Sequence, residues 1–198
     1  MVARNNADSE PKLAPPGAGL PTPELQIARL LFRLRQWSGN RDAFTARFQR
    51  ERGLIRALVL SCDAGSGSRR VLIERPRGLE DSSRNWSVWM TLDHLRIVNG
   101  EITRVVDALS KGVAPKGVAS TAAVKPGQGI TEAVVAAYED SCDAYLAAVA
   151  AAPDLDSALS FPHPWFGPLN AAGWHALSGA HMGIHREQIQ RILTGLRQ

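Results

Sequence analysis

Five histidines occur in the chain, and three of them stand where their type and spacing could hold a metal ion. His181 and His185 lie four residues apart in a stretch of helical periodicity, which puts their imidazoles side by side on one face. Such a pair offers two nitrogen ligands to one ion, and two are too few. His94, next to Leu95 in the apolar seam of an earlier helix, is the candidate third. Three neutral imidazoles at about 2.0–2.1 Å would bind Zn²⁺, Ni²⁺ or another borderline divalent ion, leaving positions open for water or substrate. A plainer explanation stands beside this one. HxxxH pairs also arise by chance, and a buried histidine can simply be hydrogen-bonded within a core.

The other reactive side chains point less clearly to chemistry. His163, in the loop entering the last helix, could shuttle protons above such an ion, or could pack beside Trp165 and Phe166. His175 falls about 120° around the helix from His181 and should face elsewhere. Cys142 lies on an apolar seam as a small buried residue, and Cys62 has no evident partner. Asp93 adjoins His94, but adjacent helical residues face different ways, so it is expected in solvent. The glycines of Asp63-Ala-Gly-Ser-Gly-Ser hint at a phosphate cradle without its third glycine, and a flexible loop is expected there. No carboxylate pair or Ser-His-Asp set suggests a metal-free mechanism.

The elements that must position the histidines follow from hydrophobic period. Thr22-Pro23-Glu24 has the form of a helix start, with a hydroxyl N-cap, proline at the first helical position and an acid in the first turn. Leu25, Ile27, Leu30, Leu31 and Leu34 follow at helical spacing. After Ser38-Gly39-Asn40 a second stretch, marked by Phe44, Phe48, Ile55 and Leu58, runs to about Ser61. From Ser87, which can cap, Val88, Leu92, Leu95, Asn99, Ile102, Val106 and Leu109 step by four and three, the pattern of a bundle seam. Val135, Tyr138, Cys142, Tyr145 and Val149 repeat it before Pro153. Asn170 should cap a last helix to about Leu196, carrying Trp174, Leu177, His181, Ile184, Gln188 and Ile192 on one side. The Pro/Gly-rich connections 112–129 and 154–169 are long. No strand alternation competes, so the expected fold is all-α, a four-helix bundle with long connecting loops.

Bulk properties bound the rest. At 198 residues the chain has the length of one domain. Residues 1–21, polar and rich in Pro and Gly, are expected to form a disordered or loosely packed lead-in to a bundle domain spanning 22–198. A net charge of +4, spread over scattered arginines, lacks the dense basic patch of a nucleic-acid binder. Two distant cysteines make a disulfide framework or a thiolate site unexpected. The start of the chain has no apolar signal region, and no apolar run reaches membrane-spanning length, which makes the cytoplasm the expected location.

Trp86-Ser87-Val88 followed by Asp93-His94-Leu95, and later His181-Met-Gly-Ile-His185-Arg-Glu-Gln188-Ile189, resemble the two signatures of the DinB-like (DinB/YfiT) superfamily. His163-Pro-Trp-Phe-Gly-Pro-Leu169 is similar to one branch, the DinB-related stress proteins. The resemblance covers roughly residues 25–196. It implies a four-helix bundle with one long crossover and a metal held by one histidine of the second helix and an HxxxH pair of the fourth, here His94, His181 and His185. Gln188 matches the family's glutamine after the pair. Two departures are Ile184, where many relatives carry a further histidine, and Gly173, where an acid is usual. The resemblance further implies a divalent transition metal, Zn or Ni. It also implies a small-molecule substrate or a low-molecular-weight thiol as partner, and a homodimer. The expected function is metal-dependent hydrolysis or thiol-dependent transfer on a small molecule, the alternative being a non-catalytic metal-binding stress or ligand-sensing protein.

Overall fold

The computed structural model describes residues 11–198. In chain order its elements are α1 (Thr22–Ser38), α2 (Arg41–Val59), α3 (Ala64–Ser68), β1 (Val71–Leu72), β2 (Asn85–Trp86), α4 (Val88–Ser110), α5 (Val134–Ala151), β3 (Phe161–His163), β4 (Gly167–Leu169) and α6 (Ala171–Gly195). Four long helices make the bundle: α4 packs against both α5 and α6, and α6 packs against α2. The four-three periodicities explain this. Leu92, Leu95, Val106 and Leu109 of α4, Tyr138, Cys142 and Tyr145 of α5, and Met182, Ile189 and Ile192 of α6 are all sealed in one apolar core. The residues joining α4 to α5 form the long crossover.

Caps set where the site-bearing helices begin. Ser87 accepts a hydrogen bond from the Met90 amide and starts α4 seven residues before His94. Asn170 accepts from the Gly173 amide and starts α6. Glycine at 173 has a steric reason, since a Cβ there would come within 2.5 Å of Gln36 Nε2 and 3.1 Å of the Leu169 Cβ.

Several local expectations are corrected. Thr22 is the first residue of α1 and makes no cap; Pro21 takes the cap position without a side-chain bond. Glu24 instead pairs with Arg75 at 2.5 Å and accepts from the Gly78 amide. The 63–68 segment is a short helix rather than a loop, because Asp63 and Ser66 form a reciprocal capping box. Gly67 within it lies under Trp89, whose ring a Cβ would meet at 2.1 Å. Two antiparallel ribbons, β1 with β2 and β3 with β4, occur in the connections. At two or three residues per strand they are too short to show alternation. The apolar face of α1 is real but uncovered: Trp37 is 87% exposed and Ile27, Leu30 and Leu31 about 60%, with Phe32 alone buried on this helix.

Residues 1–10 of the expected lead-in lie outside the described residues. Over 11–20 the chain runs along the segment preceding α4, where the Ala14 amide donates to Asp81 at 2.8 Å and Leu20 is buried. Among the described residues no helix is long and apolar enough to cross a membrane.

A second buried polar cluster ties α2, α5 and α6 together. His175 bonds to the Tyr145 hydroxyl at 2.5 Å through Nδ1 and to Thr45 Oγ1 at 3.0 Å through Nε2, and Tyr145 also meets Ser178. Burial pushes the His175 imidazole down to about 4 from its ordinary value of 6.5. The unfolded chain therefore binds a proton below pH 6.5 that the folded chain refuses until pH 4, so stability rises with pH across that window. A shift of this size contributes up to about 3 kcal/mol. In urea titrations at successive pH values, the wild type should lose stability between pH 6.5 and 4 more steeply than His175→Gln. Parallel curves would remove His175 from the account.

Candidate metal centre

His94 projects from the second turn of α4, and His181 and His185 from successive turns of α6. Because α4 and α6 pack directly, the three imidazoles meet: one nitrogen of each lies within 4.8 Å of the other two. His94 and His185 are buried and His181 is partly accessible. The Trp86 indole stacks parallel to the His185 ring at 6.3 Å and lies 5.3 Å from that of His94.

Hydrogen bonds fix the protons on two of the rings. His94 Nδ1 is 2.6 Å from the Val124 carbonyl, which can only accept, so Nδ1 carries the hydrogen. The Gln188 amide donates through Nε2 to the Ser83 carbonyl at 2.7 Å, which leaves its Oε1 to accept from His185 Nδ1 at 2.6 Å. Burial drives the His94 imidazole down to about 4. Burial, and then the neighbouring imidazoles, hold His181 and His185 well below the ordinary range. Neutral rings with hydrogen on Nδ1 present bare Nε2 lone pairs, the form in which histidine binds metals with its other nitrogen held by an outer partner.

The donor set therefore fits a divalent ion. His94 Nε2 and His181 Nε2 are 3.1 Å apart. That is the length of a hydrogen bond from His181, and close to the roughly 3.3 Å between neighbouring ligands on a tetrahedral ion with bonds of 2.0–2.1 Å. Three nitrogen donors without a carboxylate suit zinc or nickel better than magnesium or calcium.

The connection between α4 and α5 completes the surroundings. Its Val124 carbonyl orients His94, its Gly127 amide donates to Asp93 at 2.9 Å, and its Lys125 pairs with the buried Glu80 at 2.6 Å. Asp93 is thus buried rather than solvated, and it also pairs with Arg96. Its carboxylate pins the segment that orients the adjacent histidine. Beside the cluster opens a cavity of about 900 Å³ with a largely apolar wall, to which all three histidines and His163 contribute. His163 accepts from the Trp165 amide at 3.1 Å and packs on Phe166 and Trp174, and burial takes it down to about 4. His175 faces away into its own network, and Cys142 is sealed, its thiol pushed up to about 11 by burial.

Sequence reasoning did not single out Glu80, Val124 or Lys125. Val124 acts through its backbone, which leaves no side-chain signal. The charged two lie in segments with no motif around them.

A four-helix bundle with three histidines converging from two of its helices defines a narrow class of protein. A family model for the DinB superfamily matches residues 19–189, and the chain belongs to that superfamily. Among solved structures it is similar to the crystal structure of TT2238, described as a four-helix bundle protein. The identity is 24%, covering 76% of this chain and 98% of that one, with a TM-score of 0.55. That likeness supports the fold alone. No curated protein matches.

Proposed function

We propose that the protein is a metal-dependent enzyme that transforms a small molecule in the cavity beside His94, His181 and His185, by hydrolysis or by thiol-dependent transfer. The observation that carries this reading is the junction of the cluster with a roomy cavity: three neutral imidazoles meet where a ligand can reach them. A non-catalytic metal-binding protein would more naturally close a fourth ligand over the ion.

When bound, a zinc or nickel ion supplies the Lewis acidity that makes a water or thiol nucleophilic near neutral pH. The chain's own residues do the rest. Val124 and Gln188 hold the rings of His94 and His185 in the ligating tautomer. Trp86 packs against both rings, and Trp165 and Phe166 line the cavity beside them. His163, close enough to influence His181, accepts backbone amides at Nδ1 and so keeps its hydrogen on Nε2, available to a bound substrate. A homodimer through the uncovered face of α1 belongs to the same reading.

Loading the protein with Co²⁺ and titrating it with cysteine or dithiothreitol tests the thiol arm. A new thiolate-to-cobalt charge-transfer band that saturates at one thiol per chain is expected. With no band, thiol transfer falls and hydrolysis is left, to be screened with ester and amide substrates.

A further inference from the structure

Among the described residues, charge within the cavity does not balance. Their two carboxylates there are both taken, Glu80 by Lys125 at 2.6 Å and Glu101 by Arg104. Arg35, Arg47 and Lys116 also line it, and among the described residues none of the three has an ion pair or a side-chain hydrogen bond. Arg35 and Lys116 are exposed, so water serves them. Arg47 differs. It is half-buried, and its Nε is shut off from solvent with no hydrogen-bond partner.

A guanidinium N–H stripped of water without an acceptor is costly, and of the Arg47 nitrogens only Nε is so enclosed, which leaves the terminal pair open to an oxyanion. The approach of Arg47 to α6 has been given room. Its stem lies on Gly179, where a Cβ would come within 3.2 Å of the Arg47 Cγ. Gly179 precedes His181 by two residues, about 200° around α6, so the Arg47 stem crosses the face of that helix turned away from His181, and what Arg47 shares with the histidines is the cavity wall. The cavity wall is largely apolar, with Leu31, Phe32 and Leu177 among the lining residues.

We infer that the cavity takes an anionic amphiphile: a small molecule with an apolar body whose carboxylate or phosphate is fixed by the Arg47 guanidinium, with the rest of the molecule toward the histidines. Guanidinium matches both oxyanions with paired N–H donors, and the surplus positive charge lining the cavity draws such molecules in. The inference rests on reading this cavity as the substrate chamber, and names the substrate class. It does not need the metal to be bound.

Calorimetric titration with octanoate, octyl phosphate, octanol and octylamine tests it, on wild type, Arg47→Met and the metal-site variant His181→Ala. The wild type should bind at least one of the two anions about 10-fold or more tightly than octanol or octylamine, as expected for a charge-assisted hydrogen bond. Preference for either anion supports the inference and names the head group. Arg47→Met should lose that advantage while its octanol affinity stays, and His181→Ala should keep it. Octanol binding as tightly as both anions in the wild type would overturn the inference whatever the variants do, as would unchanged anion binding in Arg47→Met. An anion preference persisting in a protein that takes up no zinc or nickel would leave this inference standing and end the metalloenzyme reading instead.

Discussion

His181→Ala is expected to fold, to bind no zinc or nickel tightly, and to melt at the same temperature with or without a chelator. His181 is the partly accessible member of the cluster, and among the described residues its side chain bonds to His94 alone, so truncation opens little of the core. The wild type should behave differently. An ion that binds only the folded state stabilises it by RT ln(1 + [M]/Kd), about 4 kcal/mol at a thousandfold excess over Kd. For a chain of this length that corresponds to roughly 8–16 °C in melting temperature. Scanning calorimetry with and without EDTA reads both proteins. A chelator shift retained in the variant would move the ion elsewhere; no shift in zinc-loaded wild type would mean that the imidazoles merely pack.

Gln188→Leu should have the second largest effect, and a compound one. Gln188 is wholly buried and bridges two elements, accepting from His185 and donating to the Ser83 carbonyl. Leucine leaves both partners buried and unmatched, at about 1–3 kcal/mol each. It also frees the His185 ring to turn, and loss of such an outer partner weakens metal affinity about 10–100-fold. Gln188→Glu separates the two effects. It keeps an acceptor for His185 but lacks the donor to Ser83, so metal affinity should survive while stability falls. Competition against a chromophoric chelator, with urea unfolding of the metal-free proteins, distinguishes the outcomes. Equal affinities in Gln188→Leu and wild type would deny Gln188 its orienting part.

Much of this architecture was legible in the residues, and the parts that were not have physical reasons. The seams Leu92–Leu95–Val106–Leu109 and Tyr138–Cys142–Tyr145 gave bundle helices because period alone reports a buried stripe. Ser87 and Asn170 announced their helix starts by capping chemistry, whereas Thr22 had the right type and made no bond. Period does not say whether a partner covers the stripe, which is why α1 reads like a core helix yet leaves Ile27, Leu30 and Trp37 bare. The histidine trio was legible because i, i+4 spacing is local and His94 lies on a packed seam. What surrounds the trio was not. Asp93 was expected in solvent because neighbouring helical residues diverge, but the crossover folds over α4 and buries that side as well. Arg47 shows nothing in sequence; its isolation exists only once α2, α6 and the cavity are assembled.

Metal analysis by inductively coupled plasma mass spectrometry on tag-free protein tests the central claim most directly, with wild type and His181→Ala prepared side by side. The account predicts close to one equivalent of zinc or nickel per wild-type chain, on purification or after incubation with the ion and desalting, and almost none in the variant. Equal metal in both proteins, or none in either after loading, would contradict it.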